Sequence, residues 1–169
     1  MGLMDILQQY AGEAAAPAPA GTHDDYAAVA TQAPREALGG GIAEALRNDA
    51  GGGLAASVEK LFESSNPDQK AGLLSRLIQA AGPAILASVA GGALSRFGAG
   101  TAGSAPAVSP PDTAAITGAQ AGELAEAVRQ RDPTIVDRVG SFYSEHPLVV
   151  KALGAAALAV AMNHIAKRV

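Results

Sequence analysis

The chain has 169 residues and a net charge of −4, with no cysteine or tryptophan; hydrophobic residues make up 49% and aromatics only 4%. Without cysteine there is no disulfide scaffold and no thiolate nucleophile or metal ligand, which fits a reducing compartment. Residues 1–97 hold six basic and ten acidic side chains and residues 98–169 hold six of each. Neither part carries the basic stripe that neutralises phosphates, so nucleic acid is not an expected partner.

Leu3, Ile6, Leu7 and Tyr10 fall at i, i+3, i+4 and i+7, which predicts a short amphipathic helical arm within residues 1–13. Residues 14–22 form an Ala/Pro linker too poor in large apolar groups to pack by itself. An arm on such a linker is the layout of assembling subunits. Leu3, Ile6, Leu7 and Tyr10 are therefore expected to insert into a neighbouring copy.

A first helical unit is expected over residues 23–97. Asp24 and Asp25 precede Tyr26, Val29 and Ala30 in a short helix that stops before Pro34. Leu38, Ile42, Ala45 and Leu46 make the next apolar stripe, closed by Asn48, Asp49 and the glycines 51–53. Leu54, Val58, Leu61 and Phe62 make a third. Asn66-Pro67-Asp68-Gln69 is a helix start, with Asn66 as cap, Pro67 in the first turn and Gln69 at the reciprocal capping position. Leu73, Leu74, Leu77 and Ile78 follow, until Gly82-Pro83 breaks or kinks the helix before Ile85, Val89 and Phe97. Ala80, Ala84, Ser88 and Gly92 recur every four residues as a small-residue seam that admits a close neighbour. Ala84, Ser88 and Gly92 are thus further candidates for self-association.

Residues 98–112 read as a second linker and residues 113–169 as a second helical unit. Leu124 and Val128 carry one stripe. Asp132-Pro133 opens a helix with Ile135, Val136, Val139, Phe142 and Tyr143 on its buried side. His146-Pro147 starts the last stretch, which bears Val149, Val150, Leu153, Val160, Ala161 and Ile165 and closes on the cations Lys167 and Arg168. No alternating β-branched run of strand length occurs, so the expected fold class is all-α.

The two units repeat one helical phrase. Ile42-Ala43-Glu44-Ala45-Leu46-Arg47 matches Leu124-Ala125-Glu126-Ala127-Val128-Arg129, and Phe62 to Pro67 matches Phe142 to Pro147. Leu73 and Leu153 then stand at the same distance from each proline, and the offset drifts from about 82 to about 80 residues, as an indel in one loop would produce. Much of the apolar content is alanine, which buries little area at roughly 25 cal/mol per Å². The core therefore reads as thin, with stability drawn from close helix approach or from oligomerisation.

Residues 77–95 are uncharged and long enough to span a bilayer, but Gln79, Pro83 and several glycines and serines favour a packed helix. The first and last helices could lie on a membrane or granule surface, although their polar faces lack the Lys and Arg that hold anionic lipid. The N-terminus has no basic region of a secretory signal, so a cytoplasmic location is expected.

No cluster announces a reaction. His23, His146 and His164 are not paired at metal-binding spacing. His146 is explained by a helix start, His164 by a helix C-terminus, and Asp24 and Asp25 by a helix first turn. Glu59 with Glu63 and Glu123 with Glu126 share helix faces, but neither pair has the histidine of a di-metal bundle. The triplets 39–41 and 51–53 follow no strand and lack a Gly-Lys-Ser/Thr, so no phosphate cradle is read. Glycines 39–41 do interrupt a helical stripe at up to about 1 kcal/mol each, which a close helix contact or a kink would have to offset. No catalytic residue, metal site or cofactor is expected.

Met1-Gly2-Leu3-Met4-Asp5 resembles the start of the YidB-like small bacterial proteins, where Met-Gly-Leu-Phe-Asp is frequent. The resemblance implies a bacterial helical protein and carries no functional residue with it. The expected function is a non-enzymatic, self-assembling structural protein that forms a homo-oligomer through Ala/Gly-rich faces. A membrane- or granule-surface protein is the alternative, and a metal or carboxylate enzyme the third reading.

Overall fold

Alanine, leucine and the charged residues together make up about half of the chain, and most of these favour helix. A computed structural model describes residues 2–12, 18–48, 52–89, 94–98 and 108–169, and among these the protein is all-helical, with no strand. In chain order the elements are α1 (Leu3–Gln8), α2 (Thr22–Gln32), α3 (Arg35–Arg47), α4 (Gly53–Ser64), α5 (Pro67–Ser88) and α6 (Ser95–Gly98). A 3-10 turn (Pro110–Ala115) leads to α7 (Gly118–Arg131), α8 (Ile135–Tyr143), α9 (Pro147–Val150), a second 3-10 turn (Lys151–Leu153) and α10 (Ala155–Ala166).

The punctuation signals act as chemistry requires. Asn66 Oδ1 accepts from the Gln69 amide at 2.9 Å while Gln69 Oε1 accepts from the Asn66 amide at 3.0 Å, starting α5. Thr117 and Gln120 form the same reciprocal box at the head of α7. Gly82, at φ 71° and ψ 167°, interrupts α5, and Pro83 restarts it. Asp132 departs from the expected role: it ends α7, and its Oδ1 accepts from the Thr134 amide, so α8 begins at Ile135. Pro133 disfavours helical backbone at the residue before it and so enforces that break.

The described helices form two compact units, Met1–Gly53 with Val136–Val169, and Leu54–Ile135. This grouping differs from the expected succession of 23–97 and 113–169. The unit made from the chain's two ends packs α3, from the first expected unit, with α8–α10 from the second. The central unit packs α4 and α5, from the first expected unit, with α7 from the second. The interrupted arm linker and the 98–112 linker fall partly outside the described residues.

Close backbone contact is the physical reason for these partnerships. In the end-built unit, α3 runs without a kink across its three glycines, and α10 and α8 press against them. A Cβ at Gly41 would lie 2.7 Å from the Ala161 carbonyl oxygen, and one at Gly140 would lie 2.5 Å from the Gly39 carbonyl oxygen. Of the two explanations for glycines 39–41, close approach therefore holds. In the central unit a Cβ at Gly122 would strike the Ala55 carbonyl, so α7 can lie against α4 only without one. Around these contacts sit larger side chains than the composition led one to expect. Leu7, Tyr26, Ile42, Leu46 and Tyr143 are buried in the end-built unit, as are Phe62, Leu73, Leu74, Leu77 and Ile78 in the central one.

Within the chain, the small-residue seam is left uncovered at Ala84 and Ser88. Ala84 and Ser88 are exposed while Ile85, Leu86 and Val89 are buried, because the break at Gly82 rotates this stretch away from the face of Ala80. Gly92 lies outside the described residues.

Two substitutions test this packing. Gly140→Ala should lower stability by about 1–3 kcal/mol in urea denaturation despite its better helix propensity, because the added methyl meets backbone that cannot rotate away. Tyr26 is fully buried and its hydroxyl has no hydrogen-bond partner among the described residues. Tyr26→Phe should therefore be neutral or stabilising, by up to about 1–2 kcal/mol in the same assay; a clear loss would show that the hydroxyl is satisfied.

Candidate functional site

The arm residues singled out in the sequence come together, and they do so on their own chain. α1 packs against α10 and α2, with Ile6, Leu7 and Tyr10 buried and Leu3 partly so. Met4 faces outward, 53% exposed. The apolar stripe that could have entered a neighbour, or a lipid surface, is thus engaged within the chain.

Polar groups hold the arm as firmly as apolar ones. Asn163 lies on the otherwise apolar α10 and is 8% exposed. Its Nδ2 donates to the carbonyl of Tyr10 at 2.6 Å and to that of Gly12 at 2.7 Å, using both amide hydrogens on backbone acceptors at the end of the arm. Sequence reasoning missed this residue; the signal was a lone amide in an apolar helix. At the other end of the seat the Tyr10 hydroxyl donates to Asp25 Oδ2 at 2.7 Å, with Thr22 Oγ1 at 3.2 Å. Thr22 commits its own proton to the Pro19 carbonyl, at 2.6 Å. Burial pushes the Tyr10 phenol above its ordinary pKa; Thr22 opposes that shift, and Asp25 adds to it as acceptor and as charge.

A second concave feature lies in the same unit. It is a half-open cleft of about 500 Å³ floored by Gly39 and Gly40. Glu36, Asp137, Ser141, His164 and Arg168 line it. Glycine makes the floor possible, since a Cβ at Gly40 would lie 3.3 Å from His164 Nε2. Asp137 is paired with Arg47. Ser141, His164 and Asp137 have the composition of a hydrolytic triad, yet no hydrogen bond joins Ser141 to His164 among the described residues. The cleft lining combines the carboxylates of Glu36 on α3 and Asp137 on α8 with His164 on α10 and Arg168 just beyond it. It was illegible in the sequence because three distant segments build it.

The remaining candidates stand apart. His23 is exposed at the head of α2, and Asp24 lies 4.0 Å from Lys151. His146 caps α9 without a side-chain hydrogen bond and instead sets its ring edge-on to Phe142, 5.0 Å between centroids. Glu126 is bound by Arg129, which holds its carboxyl below the usual range, and the stems of Glu59 and Glu63 cover Gly118. No group of three or more metal-ligand side chains occurs among the described residues. Nor is any of the described helices long and apolar enough to cross a membrane.

The arm seat predicts a pH signature. Asn163→Asp replaces two donors with acceptors facing two carbonyls, so hydrogen exchange of the α1 amides should rise about tenfold or more at neutral pH. Acidification should restore part of the protection as the new carboxyl gains a proton, whereas Asn163→Ala should show no such recovery. In the unchanged protein the raised Tyr10 pKa gives a contribution to docking that is fully present below the phenol's free pKa of about 10 and lost as pH rises through the docked value. Tyr10→Phe should flatten that alkaline loss.

Comparison with family models, with characterised proteins and with solved structures finds no match to this chain.

Proposed function

We propose that this chain is a non-enzymatic, self-assembling structural protein that forms a homo-oligomer by exchanging chain-end segments between copies. The observation that carries the reading is the seat of the arm. Residues 2–12 are held to α10 and α2 by apolar packing and by the Asn163 clamp, and they join α2 through a stretch rich in alanine and proline. The same seat on a second copy provides the same contacts, so concentration decides which copy's arm fills it. Exposed large apolar side chains among the described residues are Met4, Leu148 and Val169, too few for a broad sticky face. Exchange of inner contacts is the remaining route to a stable assembly.

The cytoplasm of a bacterium is the setting in this reading, supported by the cysteine-free composition and by the YidB-like opening residues. Catalysis is not part of this reading, in which Asp137 serves Arg47 and Ser141 makes no hydrogen bond to a base among the described residues.

Light scattering over a wide dilution series tests the proposal. The full chain should show a mass that is a multiple of the single chain and falls on dilution, and removal of residues 2–12 should shift the mass toward the single chain at every concentration. A single-chain mass for the full protein at all concentrations would overturn it.

A further inference from the structure

The two units share one plan. Each holds a small-residue helix, α3 or α7, in which Gly39, Ile42, Ala43 and Leu46 stand where Ala121, Leu124, Ala125 and Val128 stand, all eight buried. Both helices carry the same ion pair three residues apart, Glu44 with Arg47 and Glu126 with Arg129. Both lie in backbone contact with the helix that precedes the repeated proline, α8 or α4. Beyond that proline, Leu73 and Leu153 are buried, and a positive-φ glycine opens the final helix in each: Gly82 at φ 71°, ψ 167°, and Gly154 at φ 89°, ψ 161°. Ile85 and Leu86 follow the first glycine at the spacing of Ala157 and Leu158 after the second, and all four are buried. The plan departs from itself at Gly41, whose counterpart Glu123 is exposed, because α10 extends along α3 there.

Each first helix is seated on the other repeat. α3 belongs to the first repeat and packs with α8 and α10; α7 belongs to the second and packs with α4 and α5. Within one chain this is the pairing of a domain-swapped dimer. The end-built unit is closed by non-covalent contacts between residues up to 53 and residues from 136 onward, since the whole central unit intervenes in sequence. At the exit from its first part stand Gly52 and Gly53, at φ 95° and 87°, a backbone that can redirect the chain at little steric cost.

We infer that the exchanged element of the assembly is the whole segment 1–48, pivoting at Gly52 and Gly53, so that the α8–α10 groove of one copy holds α3 of a second copy. This rests on the self-assembly reading above and names its interface. The partner is another copy of this chain because the groove is shaped to backbone: a helix bearing a side chain at the position of Gly41 would overlap the Ala161 carbonyl and Ile165.

The test is a disulfide in the full chain, which has no cysteine of its own. A Cβ at Gly39 would lie 3.3 Å from the Ser141 Cα, and so Gly39→Cys with Ser141→Cys places two thiols within bonding reach. Oxidation of the dilute protein should give a cross-linked single chain. Oxidation of the isolated oligomer should give covalent dimers, visible on a denaturing gel without reductant. Cross-linked single chains from the oligomer would overturn the inference and leave assembly through the arm intact, whereas absence of any oligomer would overturn assembly itself. If the double variant fails to fold, zero-length carbodiimide coupling of Lys151 to Asp24, 4.0 Å apart in the unchanged chain, reads the same pairing of segment 1–48 with residues 136–169.

Discussion

Backbone touching backbone at glycine is the constraint on which this protein depends. α3 meets α8 where Gly140 faces the Gly39 carbonyl and meets α10 where Gly41 faces the Ala161 carbonyl, while α7 meets α4 where Gly122 faces that of Ala55. Helices this close gain dispersion contacts along their whole length, which is how a chain rich in alanine and glycine reaches a packed interior. The arrangement leaves no slack. A methyl group at any of these three positions would have to move main chain rather than a side chain.

The same contact arranges the polar features of the end-built unit. Because α8 and α10 both press on the glycines of α3, Ser141 and His164 arrive at one cleft, and Arg47 reaches Asp137. Because α10 is held there, its opposite side presents Asn163 to the arm. Exposed ion pairs such as Arg35 with Glu145 contribute at most about 1 kcal/mol each, so they trim the geometry rather than determine it. The order of causes runs from missing side chains, through helix spacing, to the placement of the few polar groups that matter.

Local features of the fold were legible in the sequence. The stripes at Leu38, Ile42 and Leu46, the capping box at Asn66 and the break at Gly82 are encoded by residues within one or two turns of each other. Partnership was not legible in that way. Periodicity states which face of a helix is buried, but not which helix buries it, and two similar repeats make two pairings equally plausible on that evidence. The tandem pairing was the simpler expectation, and contact at Gly39, Gly41 and Gly122 selects the crossed one. The arm at Leu3, Ile6, Leu7 and Tyr10 was visible as an amphipathic helix, whereas its seat required knowing that Asn163, some 150 residues away, points at it.

The crossed layout also has a consequence for synthesis on the ribosome. The central unit is continuous in sequence and has all its parts once residue 135 has emerged. Segment 1–48, by contrast, emerges early and must wait for residues 136–169 before its own helices have anything to lie against. During that interval the glycine-lined side of α3 and the underside of the arm are uncovered. The unit built from the two ends can therefore close only after the central unit has all its parts.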